Sequence, residues 1–419
     1  MNVMVIGGGG REHAIVKKLR ENREITNLYA LPGNGGMAGE AVCVDIGATD
    51  LPALVAFAQE KDIDYAVVTP DDPLVLGAVD MLEAAGVPCF GPSKAAAILE
   101  GSKAFAKAFM RRHAIPTAAF ETFTDPEAAL AYVASCPLPT VIKADGLALG
   151  KGVVIAETRE AAAAAVRAAM CEGRFGASGK TLVIEEFLTG PEVSVLAFTD
   201  GKTIVPMVSS MDHKRALEGD RGLNTGGMGT IAPNPYYTDA VARRCMEEIF
   251  LPTIRGMALE GRPFKGCLYF GLMLTSAGPK VIEYNCRFGD PETQVVLALL
   301  ESDLFSIMRA VTAERLSEAE VRFSAGAAAC VILASRGYPL AYEKGFEISM
   351  GEAVRPHVLF AGVKAQNGKL LTGGGRVLGV VGTGATLPEA LDLAYERVGQ
   401  VSFENEYYRR DIGKRALEA

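Results

Sequence analysis

Short apolar strands alternate with helical patterns through the first hundred residues, and this alternation constrains the fold more than any other feature of the chain. The segments between the strands, such as REHAIVKKLREN and LPALVAFAQEK, carry apolar residues at helical spacing. The alternation predicts a parallel sheet with helices on both faces and a ligand at the carboxyl ends of its strands. The predicted strands are residues 2–7, 28–32, 65–70 and 87–91.

The pattern changes twice in the rest of the chain. A small α+β module ends near Leu188, longer and mostly antiparallel strands follow from Val193, and short strands with Gly-rich turns begin after about Phe323. The fold class is therefore α/β and α+β, in several domains. The main further predictions are helical patterns over 93–112, helices over about 238–260 and 388–400, and a hairpin with its turn at 276–279.

Composition narrows the possible functions. The 419 residues are 49% hydrophobic, so substantial cores can form, and the net charge of −8 argues against general nucleic-acid binding. No apolar run approaches the roughly 18 residues of a membrane span, and the start reads as a strand rather than a signal peptide. The eight cysteines contain no CxxC and the four histidines no HExxH. These features predict a cytoplasmic protein with reduced thiols, in which any metal is a hard ion bound by oxygen.

The glycine-rich turn GGGGREH, residues 7–13, joins the first predicted strand to a helix. Its backbone N–H groups and the helix dipole suit an anion, and Arg11 adds positive charge. A dinucleotide fingerprint would need glycine where Glu12 stands and an acid after the second strand, where PGNGG occurs instead. The pattern therefore favours a phosphate over NAD, with a purely structural tight turn as the alternative.

Two further segments lie where a nucleotide could bind. IKADGLALGKGVVI, residues 142–155, sets Lys143 and Lys151 around a glycine-rich connection between strands. Such glycines let the backbone close over phosphates, which predicts a phosphate lid; a flexible hairpin with solvated lysines is the alternative. In TPDDPLV, Asp71 follows a strand end, where an acid either binds ribose hydroxyls or caps a helix, and neither interpretation is favoured.

Two other polar segments have both a functional and a plain interpretation. VIEEFLTGPE, residues 183–192, is a strand whose edge suits an adenine ring, with Glu192 on ribose hydroxyls; an exposed acidic strand end is the plainer interpretation. SSMDHKRALEGDRGLNTGGMG, residues 209–229, is long and glycine-dense, which is typical of a mobile active-site loop. A disordered surface loop is the alternative there.

The segment VIEYNCRFGDPETQ, residues 281–294, places polar side chains at the end of a predicted strand. Glu283 and Asn285 are two residues apart, so both point to one face. A carboxylate and an amide carbonyl are oxygen ligands for Mg²⁺, and nucleotide phosphates would complete its shell. Arg287 extends this face and suits a carboxylate or a transferring phosphoryl group. Because two acceptors in a row leave no donor to pair them, a metal site is favoured over an internal ion-pair network.

Taken together, the segments resemble the ATP-grasp carboxylate–amine ligases and, more narrowly, the glycinamide ribonucleotide synthetase family. The matching stretches include GGGREH, GSKAFAK, IKADGLALGKGV, DHKRA, NTGGMG, EYNCRFGDPETQ and GGGRVLGVVG, and they extend over essentially the whole chain. The resemblance implies a Rossmann-like N-terminal phosphoribosylamine-binding domain, an ATP-grasp body with a mobile lid, and a small β-rich C-terminal domain like that of biotin carboxylases. The implied ranges are 1–102, 103–323 with the lid at about 119–189, and 324–419.

The resemblance also implies a role for each matching residue. The ATP phosphates would be contacted by Lys103, Lys143 and Lys151, the adenine by Glu185, Glu186, Phe187 and Leu188, and the ribose by Glu192. Mg²⁺ or Mn²⁺ would be bound by Glu283 and Asn285. Glycine and its acyl phosphate would be held by Asp212, His213, Lys214, Arg215, Asn224, Thr225, Gly226, Gly227 and Arg287. The phosphoribosyl group would be held by Gly8, Gly9, Gly10 and Arg11, with Asp71 and Asp290 as further substrate-binding candidates. The catalytic candidates are Lys143, Arg287, Asp212 and Lys214.

The implied reaction is the ATP-dependent ligation of glycine to 5-phosphoribosylamine through glycyl phosphate, which gives glycinamide ribonucleotide, ADP and phosphate in purine biosynthesis. The expected partners are these small molecules, without nucleic acid or membrane, and the expected state is a monomer, with a weak dimer as the alternative. Two positions depart from the family pattern: Leu223 stands where a proline is expected, and CLYFGLML offers no acid as a second metal ligand. Rival functions are a bicarbonate-using ATP-grasp carboxylase, an NAD-dependent oxidoreductase and a non-catalytic nucleotide sensor.

Overall fold

The computed structural model describes residues 1–147 and 152–419. The N-terminal unit is a five-stranded sheet in which every adjacent pair of strands is parallel, in agreement with the sequence pattern. Its elements are β1 (Asn2–Gly7), α1 (Gly10–Arg20), β2 (Asn27–Pro32), β3 (Val42–Cys43), α2 (Leu51–Glu60), β4 (Tyr65–Val68), α3 (Asp71–Leu76), α4 (Ala78–Ala84), β5 (Cys89–Phe90) and α5 (Lys94–Gly101), and the strand order is β3-β2-β1-β4-β5.

Alternate residues of β1 pack into two different cores. Val3 and Val5 belong to one apolar cluster, whereas Met4 and Ile6 belong to another, and all four side chains are fully buried. A parallel strand buried on both faces needs cover on both sides of the sheet. Because β1 lies between these two cores, the glycine-rich turn that follows its carboxyl end also begins between them.

The second unit begins with a helix and a small antiparallel sheet. Ser102 separates two helices where the sequence showed one helical stretch, because its hydroxyl accepts a hydrogen bond from the Phe105 N–H at 3.0 Å and caps the second helix. The small sheet has its own apolar core. Its elements are α6 (Lys103–Arg112), β6 (Phe120–Phe123), α7 (Pro126–Val133), β7 (Thr140–Ala144), β8 (Val153–Ala156), α8 (Arg159–Met170) and β9 (Leu182–Glu186), with strand order β6-β9-β7-β8.

The larger antiparallel sheet of this unit carries the predicted hairpin. A short π-helical turn, Met246–Phe250, joins two helices into the continuous helical segment predicted at 238–260. The hairpin turn is tighter than predicted, because the second strand resumes at Gly278. The elements are β10 (Glu192–Asp200), β11 (Ile204–Pro206), β12 (Met211–Asp212), β13 (Arg215–Leu217), β14 (Arg221–Asn224), β15 (Gly229–Ala232), α9 (Asp239–Cys245), α10 (Leu251–Leu259), β16 (Lys265–Thr275), β17 (Gly278–Asn285), α11 (Glu292–Leu299) and α12 (Leu304–Thr312), with sheet order β11-β10-β16-β17.

The polar segment 209–229 is neither a long irregular loop nor disordered. It contains β12 and a small hairpin of β13 and β14, so the prediction of a long loop was wrong in its local structure. In this hairpin Arg215 pairs with Asn224 and Leu217 pairs with Arg221, and the glycines of the segment allow this pairing. Residues 225–228, which follow β14, have no regular structure before β15.

The C-terminal unit is built on a six-stranded sheet that draws in two strands from earlier in the chain. β12 and β15 lie before residue 324, yet β15 pairs with the first C-terminal strand from Gly229 opposite Val331 to Ala232 opposite Ala328. The elements are β18 (Ala327–Ser335), β19 (Ser349–Met350), β20 (Val358–Phe360), β21 (Val363–Gln366), β22 (Lys369–Thr372), β23 (Arg376–Gly384), α13 (Leu387–Val398), β24 (Val401–Ser402), β25 (Glu406–Tyr407) and α14 (Lys414–Leu417). The sheet order is β12-β15-β18-β23-β20, with β25 on β18.

The three units together confirm the predicted fold class. In the described part of the chain, no helix combines the length and the apolar character needed to cross a bilayer.

Candidate active site

The end of β17 brings the predicted metal-binding pair to the junction of the larger sheet with the N-terminal unit. Tyr284, between the pair, is buried in the core and shares a hydrogen bond of 2.9 Å with the hydroxyl of Thr253. Since successive side chains of a strand point to opposite faces, Glu283 and Asn285 emerge together on the other face. Both are only half-buried there.

Asn285 is oriented by an acid that the sequence reasoning missed. Its side-chain N–H₂ group donates to Glu100 Oε1 at 2.8 Å, and the Cys286 N–H donates to Glu100 Oε2 at 2.7 Å. Arg287 pairs with the same carboxylate at 3.1 Å. The argument that Glu283 and Asn285 are both acceptors without donors was therefore wrong for the amide, which uses its donor on Glu100. No donor among the described residues meets the amide oxygen, which therefore remains available as a ligand.

Glu100 is buried at the end of α5, and its signal in the sequence is a single acid after the apolar run AAAIL. Burial raises the pKa of Glu100, and the nearby Arg287 opposes that shift. A buried carboxylate needs paired hydrogen bonds to remain charged. Here the three donors from residues 285–287 supply them, so Glu100 fixes the end of β17.

Cations surround Glu283. Its carboxylate accepts no hydrogen bond from the described residues, and the nearest ion-pair partner is Lys214 Nζ at 3.8 Å. Burial opposes its ionisation, but Lys214, Lys143, Lys103 and Arg287 together hold the pKa of Glu283 below its usual range. Lys214, Lys143 and Arg287 are each also paired with a second carboxylate, on Glu192, Glu185 and Glu100 respectively. The cations nevertheless converge on one place, which suits an anionic ligand such as a polyphosphate.

Two of these lysines each donate a hydrogen bond to a backbone carbonyl. Lys103 Nζ donates to the carbonyl of Gly146 at 2.7 Å, and burial lowers its pKa. Lys143 Nζ donates to the carbonyl of Ile282 at 3.2 Å, so it links β7 to β17. Lys151, the other lysine of the predicted lid, lies outside the described residues.

Glu185 is buried and holds two lysines rather than lining an open pocket. It forms ion pairs with Lys143 and with Lys107 of α6, a residue that the sequence reasoning missed. Burial, opposed by Glu185, lowers the pKa of Lys107 to about 8. A buried charge cluster of this kind is strongly destabilised when one partner is removed. The side chain of Glu185 therefore does not fit a direct contact with adenine.

The rest of the predicted adenine strand stays accessible. Glu186 is exposed, accepts a hydrogen bond from the Ala119 N–H at 3.2 Å and lies 3.5 Å from Lys280 Nζ. Phe187 and Leu188, which follow β9, are half-buried. The exposed Glu192, at the start of β10, pairs with Lys214 at 3.2 Å. Lys214 thus connects the predicted ribose-binding acid to the predicted metal-binding acid.

Two buried carboxyl groups lie beside this lysine. Asp212 Oδ1 is buried without a hydrogen-bond partner among the described residues. Burial and the neighbouring Glu292 raise the pKa of Asp212, and burial likewise raises that of Glu292. Ser194 donates to Glu292 Oε1 at 3.3 Å and shares a hydrogen bond of 2.8 Å with Tyr269. Glu292, Ser194 and Tyr269 were all absent from the predicted site.

The NTGG end of the long polar segment folds back over Asp212. Thr225 anchors it, because its N–H and its hydroxyl both donate to the carbonyl of Lys214, at 2.8 and 2.9 Å. Gly227 has a φ of +111°, and a Cβ on it would lie 2.6 Å from Asp212 Oδ1 and in contact with Pro291. This close approach requires glycine. Asn224 and Gly226 are exposed.

His213 and Arg215 flank this segment but turn away from it. The ring of His213 is buried: Nδ1 lies 3.1 Å from the carbonyl of Gly229, and Nε2 accepts from the Gly413 N–H at 3.0 Å. Arg215 donates to the carbonyl of Gly222 within its own hairpin. The predicted substrate contact of His213 does not fit this geometry, because both ring nitrogens are already used by the fold, whereas the contact of Arg215 stays a prediction.

The glycine-rich turn is followed by an acid, Glu12, whose carboxylate binds most of the donors nearby. Glu12 is buried and accepts from the Gly9 N–H at 2.6 Å, from Arg11 Nε at 2.6 Å and from the Thr69 hydroxyl at 2.7 Å. Arg11 also donates to the carbonyl of Phe288 at 3.2 Å. Arg11 is thus paired inside the protein, so the predicted contact of its charge with a phosphate does not fit this geometry.

The turn itself is crowded by backbone. A Cβ at Gly8 would contact the carbonyl of Gly33, and one at Gly10 would lie 2.9 Å from Gln294 Nε2. A Cβ at Gly9 would lie 2.9 Å from Glu12 Oε2 and 3.6 Å from Asp290 Oδ2. The turn and the Asp290 segment are therefore adjacent, which brings the predicted phosphoribosyl and glycine subsites together.

Asp71 and Asp290 close the two ends of the site. Asp71 is half-buried at the start of α3, and its charge helps raise the pKa of Arg287 against the opposing effect of burial. Asp290 accepts from Gln294 Nε2 at 2.7 Å and pairs with Arg376 of β23 at 2.7 Å. The site thus runs from Lys103 through Glu283 and Lys214 to Gly9. Arg376 lies in the matching stretch GGGRVLGVVG, but nothing in that stretch indicates that it reaches the site.

Comparison with known proteins matches every unit of this architecture. Profiles of the phosphoribosylglycinamide synthetase family match the N domain over residues 1–100, the ATP-grasp (A) domain over 101–293 and the C domain over 328–415. A phosphoribosylamine–glycine ligase of Vibrio cholerae is 48% identical over 100% of this chain and 99% of its own length. One of Clostridium acetobutylicum is 46% identical over 99% of this chain and 100% of its own length.

Solved structures agree with the sequence relatives. The crystal structure of a phosphoribosylamine–glycine ligase from Thermotoga maritima superposes with a TM-score of 0.88 at 36% identity, over 98% of this chain and 100% of that one. A biotin carboxylase domain from Hydrogenobacter thermophilus, at 15% identity and a TM-score of 0.74 over 97% of this chain and 91% of that one, shares the fold. The chain belongs to the phosphoribosylglycinamide synthetase family of ATP-grasp ligases, and its activity is that of a phosphoribosylamine–glycine ligase in purine biosynthesis.

Proposed function

We propose that the cluster around Glu283 is where ATP activates glycine, and that the neighbouring NTGG segment and glycine-rich turn hold glycine and phosphoribosylamine for ligation. The observation that carries this proposal is the convergence of cations at the end of β17. The Glu283 carboxylate accepts no hydrogen bond from the described residues, and Lys214, Lys143, Lys103 and Arg287 together lower its pKa. A triphosphate would neutralise these cations.

The residues present fit a divalent cation bound together with the nucleotide. Glu283 offers carboxylate oxygens that accept no hydrogen bond from the described residues, and Asn285, held through its nitrogen by Glu100, keeps its amide oxygen as a second ligand. Among the described residues, no group of three or more His, Cys, Asp or Glu side chains could hold a metal alone. A cation with two protein oxygens that shares its remaining positions with phosphates and water is the arrangement typical of Mg²⁺, and Mn²⁺ suits the same ligands. When bound, the cation would supply charge neutralisation for phosphoryl transfer.

The rest of the nucleotide is proposed to lie along β9 and the start of β10. Phe187 and Leu188 would cover the adenine, and the exposed Glu192 would accept hydrogen bonds from the ribose hydroxyls. In this arrangement Glu185 acts indirectly, since its pairing with Lys143 and Lys107 places Lys143 against Ile282.

The chemistry needs alignment and charge neutralisation more than a protein nucleophile. A glycine carboxylate oxygen attacks the γ-phosphorus of ATP, and the bond to the ADP oxygen breaks, which gives glycyl phosphate. The phosphoribosylamine nitrogen then attacks the acyl carbon, phosphate leaves with the bonding electrons, and the amine loses a proton. Lys143 and Arg287 are proposed to neutralise the transferring phosphoryl group. Asp212 and Lys214 are proposed to hold glycine.

The small sheet of β6–β9 is proposed to close as a lid before transfer. An acyl phosphate hydrolyses in water, so exclusion of water during its lifetime protects the intermediate. Lys143 lies on β7 of this sheet, and Lys103, at the start of α6, donates to the carbonyl of Gly146 just after β7, so both lysines would clamp the lid through the phosphates.

We further propose a monomer located in the cytoplasm. All eight cysteines are free thiols, which supports a reducing compartment. Light scattering at micromolar concentration tests the monomer.

The proposed function is tested by ADP release with each substrate omitted in turn. ADP should appear only when a divalent cation, ATP, glycine and phosphoribosylamine are all present, and glycinamide ribonucleotide should form in equal amount. Replacing glycine by bicarbonate is the control for a carboxylase. ADP release that depends on bicarbonate, or that ignores glycine, would contradict the proposal.

A further inference from the structure

Arg376 is the first residue of β23, and its side chain extends from the C-terminal sheet to the NTGG segment and to Asp290. Its guanidinium donates to the carbonyl of Gly226 at 2.6 Å, to the carbonyl of Asp290 at 3.0 Å and to Asp290 Oδ2 at 2.7 Å. A weaker contact of 3.4 Å reaches the carbonyl of Gly227. A planar group with five donors is suited to join two segments in this way.

Tyr338 also binds Gly226, through the backbone N–H. Its hydroxyl accepts a hydrogen bond from the Gly226 N–H at 3.0 Å, so residue 226 has its donor and its acceptor both fixed by the C-terminal domain. These bonds fix the position of Gly226. The next residue, Gly227, lies against Asp212 and Pro291, so the NTGG segment has no room to shift.

The two segments that Arg376 joins belong to different proposed subsites. Gly226 lies in the segment proposed to hold glycine. Asp290 lies beside the glycine-rich turn, since a Cβ at Gly9 would be 3.6 Å from Asp290 Oδ2. Gln294 holds the other oxygen of Asp290 at 2.7 Å. Arg376 therefore spans the gap between the proposed acyl donor and the proposed amine acceptor.

The proposed ATP-binding residues do not depend on this link. Lys103 and Lys143 are held by the carbonyls of Gly146 and Ile282, and the end of β17 is held by Glu100. Loss of the link should therefore leave the phosphoryl-transfer half of the reaction in place while the second half loses its alignment.

We propose that Arg376 and Tyr338 are positioning residues for the acyl-transfer step, through which the C-terminal domain holds the glycine segment and the Asp290 turn in register. This inference rests on the proposed function. With the register intact, the amine nitrogen forms its bond to the acyl carbon as phosphate leaves. With the register lost, water takes the place of the amine, and glycyl phosphate returns to glycine and phosphate while ADP has already been released.

The test is the coupling ratio, which is glycinamide ribonucleotide formed per ADP released, measured in Arg376→Lys and Tyr338→Phe with all substrates present. We expect Arg376→Lys to keep its KM for ATP, to form product at least about tenfold more slowly and to bring the ratio well below one. Tyr338→Phe removes one oxygen atom, so it tests the same step with little risk to folding, and the ratio should fall by a smaller amount.

Arg397→Lys is the matched control. Arg397 lies on α13 of the same domain and donates to the carbonyl of Val381 at 2.6 Å, away from the site, so its variant should keep a ratio of one. The inference is overturned if Arg376→Lys and Tyr338→Phe retain a ratio of one, whether their rates fall or not. Wild-type protein that releases no glycine-dependent ADP would instead contradict the proposed function, so the two failures are distinguishable.

Discussion

The surroundings of Glu283 and those of the glycine-rich turn are both polar, but they use their charges in opposite ways. Around Glu283, four cations lower the pKa of a carboxylate that accepts no hydrogen bond from the described residues, so its oxygens stay available for a ligand. At the turn, the Glu12 carboxylate accepts hydrogen bonds from Arg11, the Gly9 N–H and the Thr69 hydroxyl, so little positive charge remains for a ligand. Polar residues near a site are therefore not equivalent, and their hydrogen-bond partners decide which of them can meet a ligand.

This difference suggests two kinds of binding. The region around Glu283 is suited to recognise charge, as a metal-bound polyphosphate requires. The turn offers close backbone approach and shape, because a Cβ on Gly8, Gly9 or Gly10 would lie within 2.9 Å of Gly33, Glu12 or Gln294 respectively. Changes of charge should therefore harm the first region most, and changes of size the second.

Glu283→Gln should have the largest effect. It removes a carboxylate that accepts no hydrogen bond from the described residues, and it keeps the shape of the side chain. We therefore expect kcat to fall by about a hundredfold or more, and added Mg²⁺ or Mn²⁺ should not restore it. The measurement is turnover across a metal titration. Glu121→Gln, on the exposed face of β6, is the control and should behave as wild type. Wild-type turnover by Glu283→Gln over the titration would remove the metal role.

Arg287→Lys should have the next largest effect. One ammonium cannot pair with Glu100 at 3.1 Å, donate to the carbonyl of Phe288 at 3.1 Å and still face a phosphoryl group, as the guanidinium can. We expect kcat to fall by some tens of fold, with only a small change in the unfolding midpoint. Arg309→Lys, which alters an exposed pair with Glu24, is the control. Equal kcat values for the variant and the wild type would show that Arg287 serves the fold alone.

The sequence predicted the elements of both regions better than their connections. Strand β1, the parallel sheet, the long helix and the hairpin of β16 and β17 follow from local periodicity, which a single sequence displays directly. The pairing of Glu283 and Asn285 on one face followed from strand geometry in the same way. Family resemblance supplied the roles that periodicity could not.

The missed residues share one property, which is that their partners lie far away along the chain. Glu100 meets Asn285 across 185 residues, and Arg376 meets Gly226 across 150. Lys107 was missed because a lysine on an amphipathic helix ordinarily faces solvent. The hairpin within 209–229 was missed because its many polar residues and glycines concealed the strand pattern. For these residues tertiary contact decided the outcome, whereas the hairpin is a local pairing that its composition concealed.

Gly9→Val tests the second region through size. The added methyl groups would push against Glu12 and Asp290, so the KM for phosphoribosylamine should rise by about tenfold while the KM for ATP stays the same. Gly47→Val is the matched control, because a Cβ there meets nothing within 4 Å. A rise of similar size in the KM for ATP would mean that the two regions do not differ as described.

His213 gives the smallest effect and extends the comparison to a residue whose polar atoms the fold uses completely. Burial lowers the pKa of His213 to about 4, and Nε2 already accepts from the Gly413 N–H, so the folded state keeps the ring neutral. Since the unfolded ring has a pKa near 6.5, acid protonates the unfolded chain first, and stability should fall as the pH drops from 6.5 towards 4. For this residue alone, the loss between pH 6.5 and 5.5 is about 1 kcal/mol.

Urea unfolding at pH 6.5 and 5.5 measures this loss, with His213→Gln as the comparison, because glutamine keeps a donor and an acceptor but does not titrate. The difference in the free energy of unfolding between the two pH values should be smaller in the variant by about 1 kcal/mol. An identical pH dependence in both proteins would mean that the ring becomes protonated without cost in the folded state. His213 would then be free to meet a substrate, and it would belong with the charge-recognising region after all.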